Sequence, residues 1–284
     1  MIKGIFGSSR KYLQAHERKP YVSACILAVI IAACLFAEAI MPYDPARMDP
    51  TQISMTPGAE HIFGTDTLGR DLFSVILYGG RISIAIGLLA TLISTAIAVI
   101  YGTAAGLASD RADDVMMRFT EILMSVPQIL LVIFLQAIWG DADMLSISVI
   151  LGITGWMAVA KMVRSEVKQL RSSGFVLAAR TMCGSFFYIL RRHLMPNFMS
   201  AIMFMIVTNI GGAIAMEATL SFMGMGLPTE IVSWGSLMSL SQRAMLTGAW
   251  WMLLIPGAFL VVTLICITEL GEYIRTRNRR ERII

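Results

Sequence analysis

The sequence has few of the residues that soluble enzymes use for chemistry. Only 15% of its 284 residues are charged, and it has three histidines and four cysteines. Hydrophobic residues make up 56% of the chain, and the mean hydropathy is +0.71. This composition excludes a soluble globular domain and is typical of a protein with several membrane-spanning helices. The cysteines are scattered at Cys25, Cys34, Cys183 and Cys266, so their spacing indicates neither a disulfide framework nor a metal site.

The sequence also lacks the common catalytic motifs. It contains no G-x-x-x-x-G-K-[ST] phosphate-binding loop and no G-x-S-x-G nucleophile turn. His16, His61 and His193 fall in three separate polar segments, so they cannot share one metal or nucleophilic site. We therefore expect a chain that is not an enzyme, holds no metal or cofactor of its own, and draws energy from another protein.

Long apolar runs separated by short polar segments predict an all-α polytopic membrane protein with about six transmembrane helices. The expected spans cover residues 20–41, 82–108, 115–139, 145–163, 198–223 and 248–270. The expected organisation is a cytoplasmic amphipathic segment (1–19), a first transmembrane anchor (20–41), an external loop (42–75), a core of five transmembrane helices (76–275) containing a cytoplasmic loop (164–196), and a basic cytoplasmic tail (276–284).

Lysine and arginine are distributed unevenly along this organisation. On the six-span interpretation, 19 of the 23 basic residues lie on one side of the membrane. Since cytoplasmic loops carry the excess of lysine and arginine, both termini and the central loop are predicted to be cytoplasmic. Nucleic acid is excluded as a partner because the basic groups are tethered to spans and lack interleaved stacking aromatics.

The central loop contains the most unusual stretch of the chain. Residues 161–192 carry seven basic side chains between two apolar runs. Ala178 and Ala179 favour a helix, Gly184 is typical of a helix end, and Pro196 is typical of a helix start. The stretch therefore predicts two short helices with a break at Cys183 and Gly184, on the cytoplasmic face where another protein can bind.

This stretch resembles the cytoplasmic loop of ABC-importer permeases, whose pattern is Glu-Ala-Ala, three residues, Gly, nine residues and Ile-x-Leu-Pro. Ala178, Ala179 and Pro196 match that pattern at the right spacing. Four residues depart from it: Leu177, Cys183, His193 and Met195.

The resemblance implies that the loop docks on a cytoplasmic ATPase subunit, whose closure on ATP moves it as a rigid body. We call residues 164–196 the coupling segment and expect residues 175–185 to form the docking surface. Small side chains at Ala178 and Ala179 would permit close approach, and Arg180 would supply an ionic contact. The expected coupling residues are Phe175, Leu177, Ala178, Ala179, Arg180, Cys183, Gly184, Ser185 and Pro196.

A second motif precedes the second span, where residues 61–71 read HIFGTDTLGRD. Thr65 or Asp66 is suited to cap a helix, and residues 71–78 are predicted to form a short interfacial helix. The string closely resembles the entry to the second span in the dipeptide, oligopeptide and nickel subfamily of these permeases. We call it the external motif, and its matching residues are Gly64, Thr65, Asp66, Gly69, Arg70 and Asp71.

Two residues inside the expected spans are candidates for a pathway role. Glu217 is an acid well inside a span, and intramembrane carboxylates are often functional. It lies about 30 Å along the helix from Pro196, near the outer interface, so a packing role is an equal alternative. Pro127 is predicted to kink the third span. The small residues from Gly102 to Gly106 are interpreted as a helix-packing patch.

The resemblance implies the permease subunit of an ATP-driven importer in the bacterial plasma membrane, with di- or oligopeptides as cargo. Nickel or a metal chelate is the alternative cargo. An ion-coupled secondary transporter and an intramembrane protease are less favoured, because the sequence shows neither paired intramembrane charges nor a histidine within a span. The implied partners are a second related permease chain, two ATP-binding subunits that carry the ATP and Mg²⁺, an external substrate-binding protein and the lipid bilayer.

Overall fold

The computed structural model describes residues 20–140, 142–181, 185–228, 230–242 and 244–281. The regular elements in this part of the chain are all helices, and one isolated bridge joins Thr65 to Asp71. The all-α prediction is therefore confirmed. The predicted N-terminal segment (1–19) and the predicted break at Cys183 and Gly184 lie outside the described residues.

Twelve α-helices follow one another along the described chain. They are α1 Tyr21–Leu35, α2 Ala37–Ile40, α3 Leu72–Leu107, α4 Asp110–Ser125, α5 Gln128–Trp139, α6 Met144–Thr154, α7 Met157–Leu170, α8 Gly174–Thr181, α9 Phe186–Ile189, α10 Met195–Phe222, α11 Trp234–Ser241 and α12 Trp251–Glu281. A π-helical turn, Leu190–Leu194, joins α9 to α10, and a 3-10 turn, Ala244–Thr247, precedes α12.

The described helices do not confirm the predicted count of about six spans exactly. Three helices in the described chain are long and apolar enough to cross a membrane: α3, the continuous helix Phe186–Phe222 and the part Trp251–Arg277 of α12. Two bent pairs, α4 with α5 and α6 with α7, raise the number to five if each pair is one span. Helix α1 has 15 residues, or about 22 Å, which is shorter than the ~30 Å of hydrocarbon.

Helix α3 starts earlier than the sequence predicts. Instead of an interfacial helix followed by a span from residue 82, one helix of 36 residues begins at Leu72. Asp71 is its N-cap and accepts a hydrogen bond from Ser74 N at 2.8 Å. The helix continues through Gly80, where a β-carbon would lie 2.8 Å from the indole of Trp234. Glycine at this position therefore lets the indole pack against the bare backbone of the helix.

Proline and glycine produce the two bends. The helix axis turns by 86° between α4 and α5, where Val126 is extended and Pro127 follows it. Proline lacks an N–H and disfavours helical geometry in the residue before it, so the kink predicted at Pro127 is confirmed and is in fact a break. The second bend, of 45° between α6 and α7, falls at Gly155 and Trp156.

The coupling segment is more helical than predicted. Helix α7 continues to Leu170, so the first part of the predicted loop is helix. The second predicted short helix is also not separate, since Phe186–Phe222 forms one continuous helix of 37 residues. Pro196 cannot donate to a carbonyl one turn earlier, and the wide turn Leu190–Leu194 directly before it accommodates the proline.

The core of the bundle is built around α3. This helix packs against α1, α6, α7 and α10, and α10 packs in turn on α12. The predicted packing patch is confirmed, because Gly102 lies against Val163 and Gly106 against Val167 of α7. A β-carbon on Gly102 would lie 2.5 Å from the carbonyl oxygen of Ala160. The two backbones therefore approach as closely as glycine permits.

This contact predicts the effect of enlarging Gly102. A Gly102→Ala substitution should lower the free energy of unfolding by about 1–3 kcal/mol, because the added methyl forces α3 and α7 apart. The matched control is Gly212→Ala in α10, where a β-carbon would meet nothing within 4 Å. Its free energy of unfolding should rise by less than about 1 kcal/mol, because alanine favours a helix more than glycine does. Thermal unfolding of the detergent-purified protein measures both, and equal behaviour of the two variants would contradict the packing role.

Candidate functional site

Helix α8 lies at the centre of the coupling segment and presents two different faces. Its first turn is anchored by the carbonyl of Ser173, which accepts from Val176 N at 3.1 Å and from Leu177 N at 3.0 Å. Val176 is fully buried and Ala179 is 6% exposed, whereas Leu177 is 49% exposed. One face of this short helix is therefore attached to the rest of the chain and the other is open.

The buried face of α8 belongs to an apolar cluster shared with the long helices. Val176 and Ala179 pack in the same cluster as Val163 and Val167 of α7 and Phe198 of α10. The turn between α9 and α10 contributes two further buried leucines to this cluster. The buried face of α8 thus shares one apolar core with α7 and α10.

The structure separates the predicted coupling residues into different environments. Ala179 faces its own chain and Leu177 is exposed, so the open face is carried by Leu177 rather than by Ala179. Phe175, Ala178 and Arg180 lie in α8, and Cys183 and Gly184 are outside the described residues. Ser185 caps α9 by accepting from Tyr188 N at 3.3 Å, and Pro196 is exposed in the first turn of α10.

Sequence reasoning missed a set of ion pairs that joins α4 to α7. The buried carboxylate of Asp113 contacts both Arg164, with Nη2 at 2.5 Å from Oδ2, and Lys168. Arg171 Nη2 lies 3.8 Å from Asp110 Oδ1, and Lys161 Nζ lies 3.4 Å from Glu121 Oε1. Four of the basic residues assigned to the central loop are thus bound to acids of the preceding bent span.

A spacing signal for these ion pairs was present in the sequence. Lys161, Arg164, Lys168 and Arg171 recur at intervals of three and four residues, which places them on one face of a helix. An open cleft of about 580 Å³ lies between the two helices, and its lining includes Arg118. Arg118 and Glu121 are also one helical turn apart and could pair with each other, but Glu121 pairs with Lys161 instead.

The external motif folds into a compact turn whose polar groups are buried. Asp66 accepts from Leu68 N at 2.8 Å, from Arg70 N at 2.9 Å and from Arg70 Nε at 2.7 Å. Gly64 and Gly69 have φ of 75° and 73°, a backbone geometry that favours glycine. Asp66 therefore organises the turn, and the two glycines give the chain its sharp reversals.

The other end of the motif attaches the turn to α3. His61 Nδ1 lies 2.8 Å from Asp71 Oδ1, and His61 Nε2 lies 3.1 Å from Gln52 Oε1. The second oxygen of Asp71 accepts from both N and Oγ of Ser74, at 2.8 and 2.6 Å. Asp71, rather than Thr65 or Asp66, is thus the helix cap, and the motif fixes the external segment to the start of the central helix.

Glu217 lies at a junction of three helices. Its carboxylate accepts from Ser221 Oγ at 2.9 Å, from Ser233 Oγ at 2.7 Å and from Ser83 Oγ at 3.4 Å. The hydroxyls of these serines also accept backbone N–H groups, for example Trp234 N on Ser83 at 3.1 Å. Glu217 is fully buried, so in this chain it joins α3, α10 and the start of α11.

These arrangements are mechanical rather than catalytic. The ion pairs and the shared apolar cluster make α4, α7, α8 and α10 one connected body on the side of the coupling segment. The external motif and Glu217 fix the opposite ends of α3 and α10. The long helices are therefore attached to one another at both ends.

Residues 98–280 match the family described as the binding-protein-dependent transport system inner membrane component. The chain belongs to this family. The match starts within α3 and includes the whole coupling segment, so the helices that form the connected body are all within the family region. The chain is thus an inner-membrane transport component that spans the membrane more than once.

The relatives of this transport component extend the match to nearly the whole chain. It is 37% identical over 247 residues to the dipeptide transport system permease protein DppC of Bacillus subtilis (strain 168), covering 87% of this chain and 77% of the relative. It is 35% identical over 254 residues to the oligopeptide transport system permease protein OppC of the same organism, covering 89% and 83%.

The fold is also found in a solved transporter. A chain of the MetNI methionine ABC transporter in an inward-facing conformation superimposes with a TM-score of 0.55 at 16% identity, covering 72% of this chain and 96% of that chain. At this identity the likeness concerns the fold alone. It shows that the arrangement of helices is that of an ABC transporter permease.

The ion pairs of Asp113 generate a stability prediction. Asp113→Asn should lower the free energy of unfolding by about 1–3 kcal/mol, because Arg164 and Lys168 lose their shared carboxylate while partly buried. Asp114→Asn is the control, since this neighbouring carboxylate is exposed and its loss should cost less than about 0.5 kcal/mol. Thermal unfolding in detergent separates the two variants; equal losses would show that the pairing with α7 contributes nothing.

The serine contacts of Glu217 generate a second stability prediction. Glu217→Leu should cost roughly 2–3 kcal/mol because three buried hydroxyls lose their acceptor. Glu217→Gln keeps one carbonyl oxygen as an acceptor and should cost clearly less. The melting temperatures of the purified variants provide the comparison. A leucine variant at least as stable as the glutamine variant would refute the role of Glu217 as a junction.

Proposed function

We propose that this chain is the permease subunit of an ATP-driven importer for di- or oligopeptides. The proposal is supported chiefly by 37% identity over 247 residues to a relative named as a dipeptide permease. Other relatives at 30–35% identity also have names that refer to peptides or oligopeptides. Nickel or a metal chelate, the other cargo considered, is not favoured by these relatives.

The connected body of helices supports coupling to ATP hydrolysis on other subunits. We infer that two ATP-binding subunits, which hold ATP and Mg²⁺, bind on the side of α8. Leu177 on its open face would enter the ATPase, while Val176 and Ala179 attach α8 to α7 and α10. Closure of the ATPase pair would then tilt these helices and carry α4 with them through Asp113.

The remaining partners follow from the same function. A second related permease chain would complete the pathway, and an external binding protein would deliver the peptide to the side opposite α8. An ion-coupled transporter is less favoured, because the carboxylate of Glu217 is bound by three serine hydroxyls rather than by a paired charge. Both termini and the coupling segment would face the cytoplasm, in line with the positive-inside rule.

Uptake of a labelled peptide into proteoliposomes tests the function directly. Vesicles that hold this chain with its permease, ATPase and binding-protein partners should accumulate a tripeptide only when ATP is supplied on the α8 side. A nickel chelate in place of the peptide is the comparison. Accumulation of the chelate without the peptide would replace the proposed cargo, and accumulation driven by an ion gradient without ATP would replace the mechanism.

The open face of α8 generates a coupling prediction. Leu177→Glu should lower peptide-stimulated ATP hydrolysis at least about fivefold, because a charge replaces an apolar contact at the interface. Leu177→Met should retain the activity. Ala179→Glu should instead prevent assembly, since it places a charge in the shared apolar cluster. The measurements are stimulated ATPase activity and recovery of the intact complex; a normally coupled Leu177→Glu variant would rule out docking through this face.

A further inference from the structure

The two bent spans break next to a group of uncharged polar side chains. The α6–α7 break is at Gly155, and a β-carbon there would lie 3.8 Å from Asn209 Oδ1 and 3.8 Å from Gln128 Nε2. Gln128 is the first residue of α5, directly after the other break, and Asn209 lies near the middle of α10. Side-chain amides from two helices therefore border the break in a third.

The central helix adds hydroxyls to this group. Asn209 Nδ2 donates to Ser94 Oγ at 2.8 Å, which leaves Asn209 Oδ1 on the side of Gly155. Thr91 and Thr95 lie within one turn of Ser94, and both have buried hydroxyls without a partner in the described part of the chain. Thr91 is 4% exposed. We call Thr91, Ser94, Thr95, Gln128 and Asn209 the polar belt.

The backbone at the breaks also has unused hydrogen-bonding groups. Helices α5 and α7 both start without a side-chain cap, so their first N–H groups have no acceptor within the helix. Val126, Pro127 and Gln128 are all exposed, and the amide of Gln128 makes no hydrogen bond to the described residues. Irregular backbone at membrane depth is tolerated only where protein or a water-filled cavity covers it. A transport pathway at these breaks would supply the cover that the irregular backbone requires.

The chemistry of the belt matches one kind of cargo. Amides and hydroxyls both donate and accept hydrogen bonds and carry no charge. A peptide group has the same two functions, repeated along the chain whatever its side chains are. The belt contains no carboxylate, thiol or imidazole, so it is unsuited to binding a metal ion tightly. Discontinuous membrane helices are a common way to build a transport site.

We propose that the polar belt is the part of the pathway that hydrogen-bonds the backbone of the passing peptide. The proposal rests on peptide transport by this chain and adds the residues that contact the cargo. Because the belt forms hydrogen bonds to the peptide main chain and not to its side chains, it favours transport of peptides of differing sequence. Pro127 and Gly155 contribute by breaking the helices beside the two amides of the belt, Gln128 and Asn209.

Removing the amides tests the proposal in the reconstituted transporter. Gln128→Leu and Asn209→Leu should each lower the maximal rate of trialanine uptake roughly three- to tenfold, the range expected for one lost hydrogen bond. Binding-protein-stimulated ATP hydrolysis should change less, since the belt lies away from α8. Gln128→Asn, which keeps an amide, should restore part of the uptake. The control is Thr219→Val in α10, whose exposed hydroxyl donates to Ala215 O of its own helix; its uptake should be unchanged.

Photo-cross-linking provides a second measurement that does not depend on a loss of activity. Gln128→p-benzoylphenylalanine is an exposed replacement and should cross-link to labelled trialanine during ATP turnover. The same replacement at Val261, which is 52% exposed on α12, should not. If the wild-type transporter takes up the peptide, two results together would overturn the proposed role of the belt. The leucine variants would take up peptide as fast as the wild type, and position 128 would form no cross-link. A wild type that takes up no peptide would instead overturn the proposed function.

Discussion

The structure depends on the requirement that backbone hydrogen-bonding groups be satisfied inside the membrane. Within α3, and within α10 after Pro196, the helix itself meets this requirement. At Pro127 and Gly155 it does not, and the chain places uncapped helix starts beside Gln128 and Asn209. The same requirement explains why the π-helical turn precedes Pro196, since a wide turn lets the helix pass the proline without ending.

Different interactions hold the helices together at the two ends of the bundle. On the side of α8, charged groups join α4 to α7 and an apolar cluster joins α7, α8 and α10. On the opposite side, three carboxylates accept hydrogen bonds: Asp66 from Arg70, Asp71 from Ser74 and Glu217 from serine hydroxyls. The helices are held together at both ends of the bundle, and two of the spans are interrupted between those ends. Such a bundle is suited to move as rigid parts about the two breaks.

Parts of the fold and site could be predicted because they depend on local chemistry. Pro127 ended a helix because proline lacks an N–H, and Gly102 packed against α7 because a residue without a side chain permits close approach. Other parts could not. Trp234, far away in sequence, packs on the bare backbone of Gly80 inside the long helix. Ala179 faces inward because the apolar cluster of α7 and α10 lies on that side of α8.

The amino-acid sequence by itself determined an all-helical membrane protein, the family to which it belongs and a basic stretch within residues 164–196. These depend on composition, on apolar runs and on motifs that are each contiguous in the chain. Only the tertiary structure decided the number of continuous helices, the pairing of Asp113 with α7, the open face at Leu177 and the meeting of Gln128 with Asn209. Such features depend on which helices are neighbours, and residues distant in the chain become neighbours only when the helices pack.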